Sequence, residues 1–191
     1  GLYWHRVVPL LEAAGHRAIA VDLPGDDPSS GLAEYTRLVI DAMDGATDVA
    51  LVAQSLGGFT AAMVCDLAPP QSLTLVNAMI PIPGETPGDW WAATGAVEAR
   101  DAAGHGPFDP VTYFLHDLPP SVIEDGERHQ RAESDAVFAS ACAFEGWPDR
   151  LRAAAGSDDR FFPIEFQRRI ARERLGREIE VLPGGHLIAL A

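Results

Sequence analysis

The feature that most constrains the fold is an alternation of short apolar runs with segments of helical periodicity. The runs "DVALVAQS" (residues 48–55) and "SLTLVNAM" (residues 72–79) are almost continuously apolar, which is typical of strands buried in a parallel sheet. Between them, residues 57–67 have the apolar spacing of a helix. Strands and helices that alternate through short connections predict an α/β fold with a mostly parallel sheet and helices on both of its faces.

The pattern extends towards the start of the chain. We predict a helix over residues 4–14 that stops at Gly15, and a short buried strand in "RAIAVDLPG" (residues 17–25). An amphipathic helix is predicted over residues 31–43.

Residues 80–147 interrupt the alternation. They are rich in Pro, Gly, aromatic and acidic residues and contain no convincing buried strand, so we predict an inserted cap of helices and loops. The core then has two parts, residues 1–79 before the cap and residues 148–191 after it. In the second part "RLRAAAGSDD" is a weak strand candidate and "REIEVLPGG" is a last strand. A helix that starts at Pro163 and stops at Gly176 lies between them.

Composition excludes several classes of function. The 191 residues are 47% hydrophobic and 22% charged, which is the balance of one soluble globular domain, and no apolar stretch approaches the roughly 20 residues of a membrane helix. A formal net charge of −14 argues against nucleic acid or an anionic membrane as a partner. Cys65 and Cys142 fit no metal-ligand spacing, so we expect free thiols in a reducing, cytoplasmic compartment. A small neutral molecule is the favoured partner.

A single serine stands before a pair of glycines in "LVAQSLGGFTAAMV". A nucleophile at a turn from strand to helix needs small residues two positions before and after it, and Ser55 has Ala53 and Gly57 there. This is Ala-x-Ser-x-Gly, a mild departure from the usual Gly-x-Ser-x-Gly. The start of the helix would aim the Leu56 N–H at a developing oxyanion. On these residues alone, an ordinary helix cap at Ser55 is an open alternative.

Two further polar groups follow strand ends. His186 comes after the last predicted strand through a Gly-Gly turn, so its ring can fold over the carboxyl edge of the sheet. In "GSDDRFFP" two aspartates follow another strand end, and we favour Asp159 over Asp158 because of its position four residues before Pro163. The order Ser55, Asp159, His186 predicts the nucleophile, acid and base of one catalytic triad.

These residues resemble a known family. The runs "WHRVVPLLEAAGHRAIAVDLPG", "AQSLGGFTA", "GSDDRFFP" and "GGHLIAL" are together similar to the α/β-hydrolase superfamily, over nearly the whole chain except the middle of the cap. The first run and "YFLHDLPP" resemble the branch that contains plant hydroxynitrile lyases, methylesterases and related bacterial esterases. The resemblance implies Ser55 as the nucleophile, His186 as the general base and Asp159 as its acid partner.

The chain departs from the family pattern at three points. Members usually begin with two or three more strands and a His-Gly motif that supplies a second oxyanion donor, so we expect that donor upstream of Gly1. A final helix usually follows the catalytic histidine, whereas this sequence ends a few residues after His186. We therefore expect a fragment without the N-terminal strands and the last helix. In the family's lyases a lysine follows the histidine; this chain has Leu187 there and no lysine.

Candidates for the substrate pocket come from the cap and from a strand end. Met79 follows a strand and has the better claim, because strand ends converge on the crevice of such a sheet. Trp90, Trp91 and Phe114 in the cap have two open roles, lining an apolar pocket or packing the cap onto the sheet. Asn77 has two open roles as well, a hydrogen bond to a substrate or support of the turn.

The function expected from the sequence is hydrolysis of a small carboxylic ester through an acyl-enzyme intermediate. This chemistry needs no metal and no organic cofactor. Leu187 favours it over cyanohydrin cleavage, which is the first alternative. The second alternative is a receptor-like protein that binds a small ligand with little turnover. We expect a monomer or a homodimer, with no nucleic acid and no membrane as partner.

Overall fold

The computed structural model describes residues 2–129 and 131–191, which contain one parallel sheet. Each strand is hydrogen-bonded to the next in chain order, and Ala53 lies opposite Leu75, which lies opposite Ala153. All carboxyl ends therefore lie at one edge of the sheet. The strands are β1 (Ala50–Gln54), β2 (Ser72–Val76), β3 (Leu151–Gly156) and β4 (Glu180–Leu182).

Helices connect these strands and pack against them. The helix between β1 and β2 contacts β1, and the helix between β3 and β4 contacts β3. The core helices are α1 (Val8–Ala13), α2 (Leu32–Met43), α3 (Gly57–Leu67) and α8 (Ile164–Leu175). No described helix is both long and apolar enough to span a lipid bilayer. The predicted α/β class with a parallel sheet is confirmed.

The sequences of α3 and α8 explain their places in the fold. Eight of the eleven residues of α3 are buried, because small and apolar residues occupy all of its faces. In α8 only one face is buried, with Phe166, Gln167, Ile170 and Ala171 on it. The helix ends at Gly176, which has the left-handed φ of 64° that favours glycine.

The segment between β2 and β3 contains helical segments and, among its described residues, no strand. Its helices share an apolar cluster with the sheet, in which Trp90 and Val137 of this segment join Leu73 and Phe162. The boundaries at residues 80 and 147 remain predictions. The helical segments are α4 (Pro87–Thr94), α5 (Ala96–Ala102), a π-helical turn (Val111–Leu115), α6 (Pro120–Glu127) and α7 (Asp135–Ala139).

The strand predicted over residues 17–25 is wrong. No strand or helix forms over residues 16–24, and Ile19 is 50% exposed. An apolar run indicates burial, but a strand also needs a regular hydrogen-bonded ladder with a neighbour. The helix predicted over residues 4–14 is also shorter than expected, since a 3₁₀ turn (Leu2–Trp4) precedes α1.

A buried ion pair joins α8 to the start of the cap. Arg174 Nη2 donates to Glu85 Oε1 at 2.9 Å, and Arg174 Nη1 also donates to the Ile80 carbonyl at 2.7 Å. The two side chains are 10% and 5% exposed. The Cys142 N–H donates to the main-chain carbonyl of Glu85 at 2.9 Å. Residues near both ends of the cap therefore lie together beside this ion pair.

Replacing Glu85 by glutamine is expected to lower the free energy of unfolding by about 3–5 kcal/mol, because the buried guanidinium of Arg174 loses its counter-charge. Urea unfolding followed by circular dichroism measures this loss. The control is Glu180→Gln, which breaks the exposed pair with Arg152 and should cost less than about 1 kcal/mol. Equal losses in the two variants would contradict the structural role of the buried pair.

Candidate active site

Ser55 lies at the turn between β1 and α3 and has a left-handed backbone, with φ of 51°. Non-glycine residues with this conformation are strained, and a sharp strained turn is the feature that exposes a nucleophilic serine. Two hydrogen bonds hold the turn against the end of β2. The Ser55 N–H donates to the Val76 carbonyl at 3.3 Å, and the Met79 N–H donates to the Ser55 carbonyl at 3.0 Å.

The glycine that this turn requires is Gly58 rather than Gly57. A Cβ on Gly57 would lie 3.7 Å from the Cβ of Ala53, which is ordinary van der Waals contact. A Cβ on Gly58 would collide with the carbonyl oxygen of Met79 and lie 3.1 Å from its carbonyl carbon. The first turn of α3 therefore passes closer to the end of β2 than any side chain at position 58 allows.

His186 lies between Ser55 and Asp159, at the end of the histidine loop (residues 183–186). Its Nε2 is 3.0 Å from Ser55 Oγ, and its Nδ1 is 2.9 Å from Asp159 Oδ2. A carboxylate only accepts, so Nδ1 carries the ring hydrogen and Nε2 is left to accept the hydroxyl proton of Ser55. His186 and Asp159 are 2% and 4% exposed, so their contact is shielded from water.

The carboxylate of Asp159 accepts three more hydrogen bonds. The N–H groups of Phe161 and Phe162 donate to Oδ1 at 2.9 and 2.8 Å, and Gln167 Nε2 donates to Oδ2 at 3.0 Å. Together with His186 these donors satisfy a carboxylate that is buried away from water. Gln167 was not predicted as a site residue; the only signal for it is a polar side chain on the buried face of α8.

A buried amide holds the histidine loop to the sheet. Asn77 Nδ2 donates to the carbonyl oxygens of Gly185 and His186 at 3.1 and 2.9 Å. Asn77 Oδ1 accepts the Gly156 N–H at the end of β3 at 2.8 Å. Asn77 is 0% exposed, and its backbone is left-handed, with φ of 45°. Of the two roles left open by the sequence, the structure gives Asn77 the support of the turn.

Gly156 and Gln54 also contact the histidine loop at the edge of the sheet. A Cβ on Gly156 would collide with the Gly184 carbonyl oxygen and lie 2.6 Å from that of Gly185, so only glycine leaves room for the loop. Gln54, the last residue of β1, donates through Nε2 to the His186 carbonyl at 3.1 Å. The ends of β1, β2 and β3 all contact the loop that carries His186.

Three phenylalanine rings surround the imidazole of His186. The ring centroids of Phe114, Phe161 and Phe162 lie 5.3, 5.1 and 5.2 Å from the centroid of the imidazole. Phe114 belongs to the cap, whereas the other two follow the loop of Asp159. An apolar surrounding of this kind excludes water and strengthens the electrostatic interactions inside the site.

The pocket residues predicted from the sequence fall into two groups. Phe114 and Trp91 are half-buried, and the ring of Phe114 contacts that of His186. Met79 and Trp90 are only 2% and 0% exposed and belong to the core cluster. The indole N–H of Trp90 donates to a main-chain carbonyl at 3.1 Å. Because Met79 and Trp90 have almost no accessible surface, the structure assigns them to core packing, and Phe114 and Trp91 stay the pocket candidates.

The Leu56 N–H lies at the start of α3 and has no hydrogen-bond partner among the described residues. Its role as an oxyanion donor stays a prediction.

Across the described residues, no group of three or more His, Cys, Asp or Glu side chains is placed so that it could hold a metal ion. Cys65 and Cys142 are buried free thiols, and burial raises their pKa values to about 11 and about 12.

A comparison with known proteins places the chain in a family. The sequence model described as "Alpha/beta hydrolase family" matches residues 1–191. The chain belongs to the α/β-hydrolase family. It is 36% identical to methylesterase 3 of Arabidopsis thaliana over 46% of this chain and 38% of that protein. It is 37% identical to an α-hydroxynitrile lyase of the same plant over 41% of this chain and 35% of that protein. The predicted resemblance to this branch of α/β hydrolases is confirmed.

Longer matches come from hydrolases with lower identity. A pyrethroid hydrolase of Sphingobium wenxiniae is 28% identical over 97% of this α/β hydrolase and 77% of the relative. The crystal structure of a pyrethroid hydrolase from Sphingobium faniae JZ-2 has a TM-score of 0.73 at 25% identity, covering 98% of this chain and 86% of that one. Polyneuridine aldehyde esterase has the same fold, with a TM-score of 0.76 at 18% identity over 98% and 88% of the two chains.

Replacing Asn77 by alanine is expected to lower the free energy of unfolding by about 2–5 kcal/mol, because the Gly156 N–H and the Gly185 carbonyl lose their partner, the His186 carbonyl is left with Gln54, and the left-handed backbone loses a tolerant residue. Urea unfolding measures the change. The control is Asp44→Ala, which tests an equally left-handed but exposed residue, with φ of 51°. If both variants lose the same stability, backbone strain alone explains the effect and the buried bonds of Asn77 do not support the loop.

Proposed function

We propose that this α/β hydrolase cleaves a small carboxylic ester through an acyl-enzyme intermediate, with Ser55, His186 and Asp159 as its catalytic triad. The observation that carries the proposal is the pair of consecutive hydrogen bonds from Ser55 Oγ to His186 Nε2 (3.0 Å) and from His186 Nδ1 to Asp159 Oδ2 (2.9 Å). A serine, a histidine and a buried carboxylate in this relation form the arrangement that acyl transfer requires. Relatives named as an esterase and as hydrolases support the same class.

The proposed reaction starts with attack of Ser55 Oγ on the ester carbonyl carbon while His186 Nε2 takes the hydroxyl proton. The carbonyl oxygen gains the negative charge, which the Leu56 N–H and the positive end of α3 stabilise. As the carbon–oxygen bond to the alcohol breaks, His186 returns the proton to the departing oxygen, and the acyl group stays on Ser55. Water, deprotonated by His186, then attacks the acyl carbon. The bond between this carbon and Ser55 Oγ breaks, His186 returns the proton to Ser55 Oγ, and the acid is released.

Asp159 has two tasks in this proposal. Its hydrogen bond to Nδ1 keeps His186 in the tautomer that accepts from Ser55, and its negative charge stabilises the imidazolium that forms during each proton transfer. Three further donors hold the carboxylate in place, so it need not reorganise as the charge on His186 changes.

The surroundings of the triad favour a neutral substrate with an apolar group. The half-buried rings of Phe114 and Phe161 lie beside His186, and Trp91 contacts Phe161 at a centroid distance of 5.4 Å. A formal net charge of −14 repels anionic esters. Leu187 follows the histidine where the resemblance to the lyases calls for lysine, which favours ester hydrolysis over cyanohydrin cleavage.

Hydrolysis of 4-nitrophenyl acetate and 4-nitrophenyl butyrate by the parent chain and by Ser55→Ala tests the proposal. We expect repeated turnover by the parent, and a loss of kcat of about 10⁴ to 10⁶ in the variant, because the nucleophile is gone. Ser157→Ala is the matched control: this serine lies exposed two residues before Asp159, and its hydroxyl contacts Asp158. Its rate should equal that of the parent.

Each alternative function has its own outcome in this experiment. A receptor-like protein would release about one equivalent of nitrophenol and then stop, since its acyl or ligand complex persists. A lyase would release cyanide from an aromatic cyanohydrin faster than it hydrolyses either ester. A parent chain without turnover, or a Ser55→Ala variant as fast as the parent, would contradict the proposed triad.

A further inference from the structure

One hydrogen bond reaches the histidine loop from the side of the cap. Asp117, two residues after the π-helical turn, accepts the Gly185 N–H through Oδ2 at 2.6 Å. A bond from a main-chain N–H to a carboxylate at this short distance belongs to the stronger class of protein hydrogen bonds. Because Gly185 directly precedes His186, the cap contacts the loop one peptide before the proposed base.

The shape of the loop matches this contact. A Cβ on Gly185 would lie 2.8 Å from Asp117 Oδ1 and 2.9 Å from the Cε1 atom of His116. Only glycine at position 185 lets these two cap residues approach the main chain. Gly185 is buried, so the cap covers the loop at this point.

The two peptides on either side of Gly185 are hydrogen-bonded both to the cap and to residues that follow strands of the sheet. The peptide between Gly184 and Gly185 is held at its carbonyl by the Asp158 N–H at 3.0 Å, and at its N–H by Asp117. The next peptide is held at its carbonyl by Asn77. Glycine has the largest backbone freedom, so the orientation of these two peptides determines where the following residue, His186, directs its ring.

Asp117 is half-buried, and its two carboxylate oxygens differ in their surroundings. Oδ1 of this carboxylate is buried and has no hydrogen-bond partner among the described residues. An unpartnered buried carboxylate oxygen lowers stability, and an apolar residue of similar size would avoid that loss. Among the described residues, the bond from the Gly185 N–H to Oδ2 is the hydrogen bond that offsets this loss.

We propose that Asp117 is a positioning residue, through which the cap orients His186 towards Ser55 and Asp159; the proposal rests on the ester hydrolysis proposed above. Asp117 acts on the reaction only through the Gly185 main chain. What the loop requires is an acceptor at the position of Oδ2; the negative charge strengthens this bond, but the oxygen alone suffices to orient the loop.

Two substitutions separate the acceptor from the charge. Asp117→Asn keeps an oxygen in the same place, whereas Asp117→Ala removes it. We expect kcat for 4-nitrophenyl acetate to fall by about 10- to 100-fold in Asp117→Ala with little change in KM, because a small displacement of the base slows the chemical step. Asp117→Asn should recover most of this loss. Asp117→Leu, which fills the space without an acceptor, replaces the alanine variant where the latter does not fold.

Asp101→Ala is the matched control, because this exposed carboxylate also belongs to the cap but hydrogen-bonds Arg100 rather than the histidine loop. Its kcat should equal that of the parent. The proposal is overturned by an alanine or leucine variant with the parent kcat, or by an asparagine variant as slow as the alanine variant.

A spectroscopic measurement tests the positioning independently of any activity. In protein labelled with ¹⁵N-histidine, the proton on His186 Nδ1 should give a strongly deshielded signal through its bond to Asp159, identified by its absence in His186→Gln. We expect the signal to broaden or disappear in Asp117→Ala and to persist in Asp117→Asn and Asp101→Ala. An unchanged signal in Asp117→Ala overturns the proposal, whereas failure of ester hydrolysis in the parent overturns only the proposed function.

Discussion

The buried side chain of Asn77 is the interaction on which the geometry of this molecule depends. Its amide joins the end of β2 to the end of β3 through the Gly156 N–H, and it holds the carbonyl oxygens of Gly185 and His186. A parallel sheet brings its strand ends to one edge, but their side chains meet only where the loops beyond them are held. Through this amide the sheet sets the position of the histidine loop, and with it the 3.0 Å contact between His186 Nε2 and Ser55 Oγ.

Other contacts of the site also help to hold Ser55, His186 and Asp159 in this arrangement. The left-handed turn at Ser55 brings the serine to the sheet edge, and the absence of a side chain at Gly58 lets α3 start beside Met79. Asp159 is held by donors from its own loop and from α8, so the imidazole has one fixed partner on each side. Apolar rings from the cap and from the loop after β3 then exclude water. The strained, polar centre is therefore supported by a well-packed apolar surrounding, as expected where backbone strain is kept for function.

Much of this fold could be predicted from the sequence. Strands buried in a parallel sheet appear as almost continuous apolar runs, and helices appear as apolar residues three or four positions apart. The polar residues at three strand ends were predicted on the same basis. Contacts between distant segments could not be predicted. Nothing near Asn77, Gln167 or Asp117 in the sequence indicates which groups these side chains bind. Periodicity also says nothing about which face of a cap helix meets the site, so it left two roles open for Trp90, which lies in the core.

Covalent labelling with a fluorophosphonate tests most directly whether His186 activates Ser55. Mass spectrometry of the intact protein and of its peptides should find one adduct, on the peptide that carries Ser55. The adduct should be absent from His186→Ala and from protein unfolded in urea, because an ordinary serine hydroxyl is too weak a nucleophile to react. No adduct in the folded parent chain, an adduct on another residue, or equal labelling of His186→Ala would contradict the account.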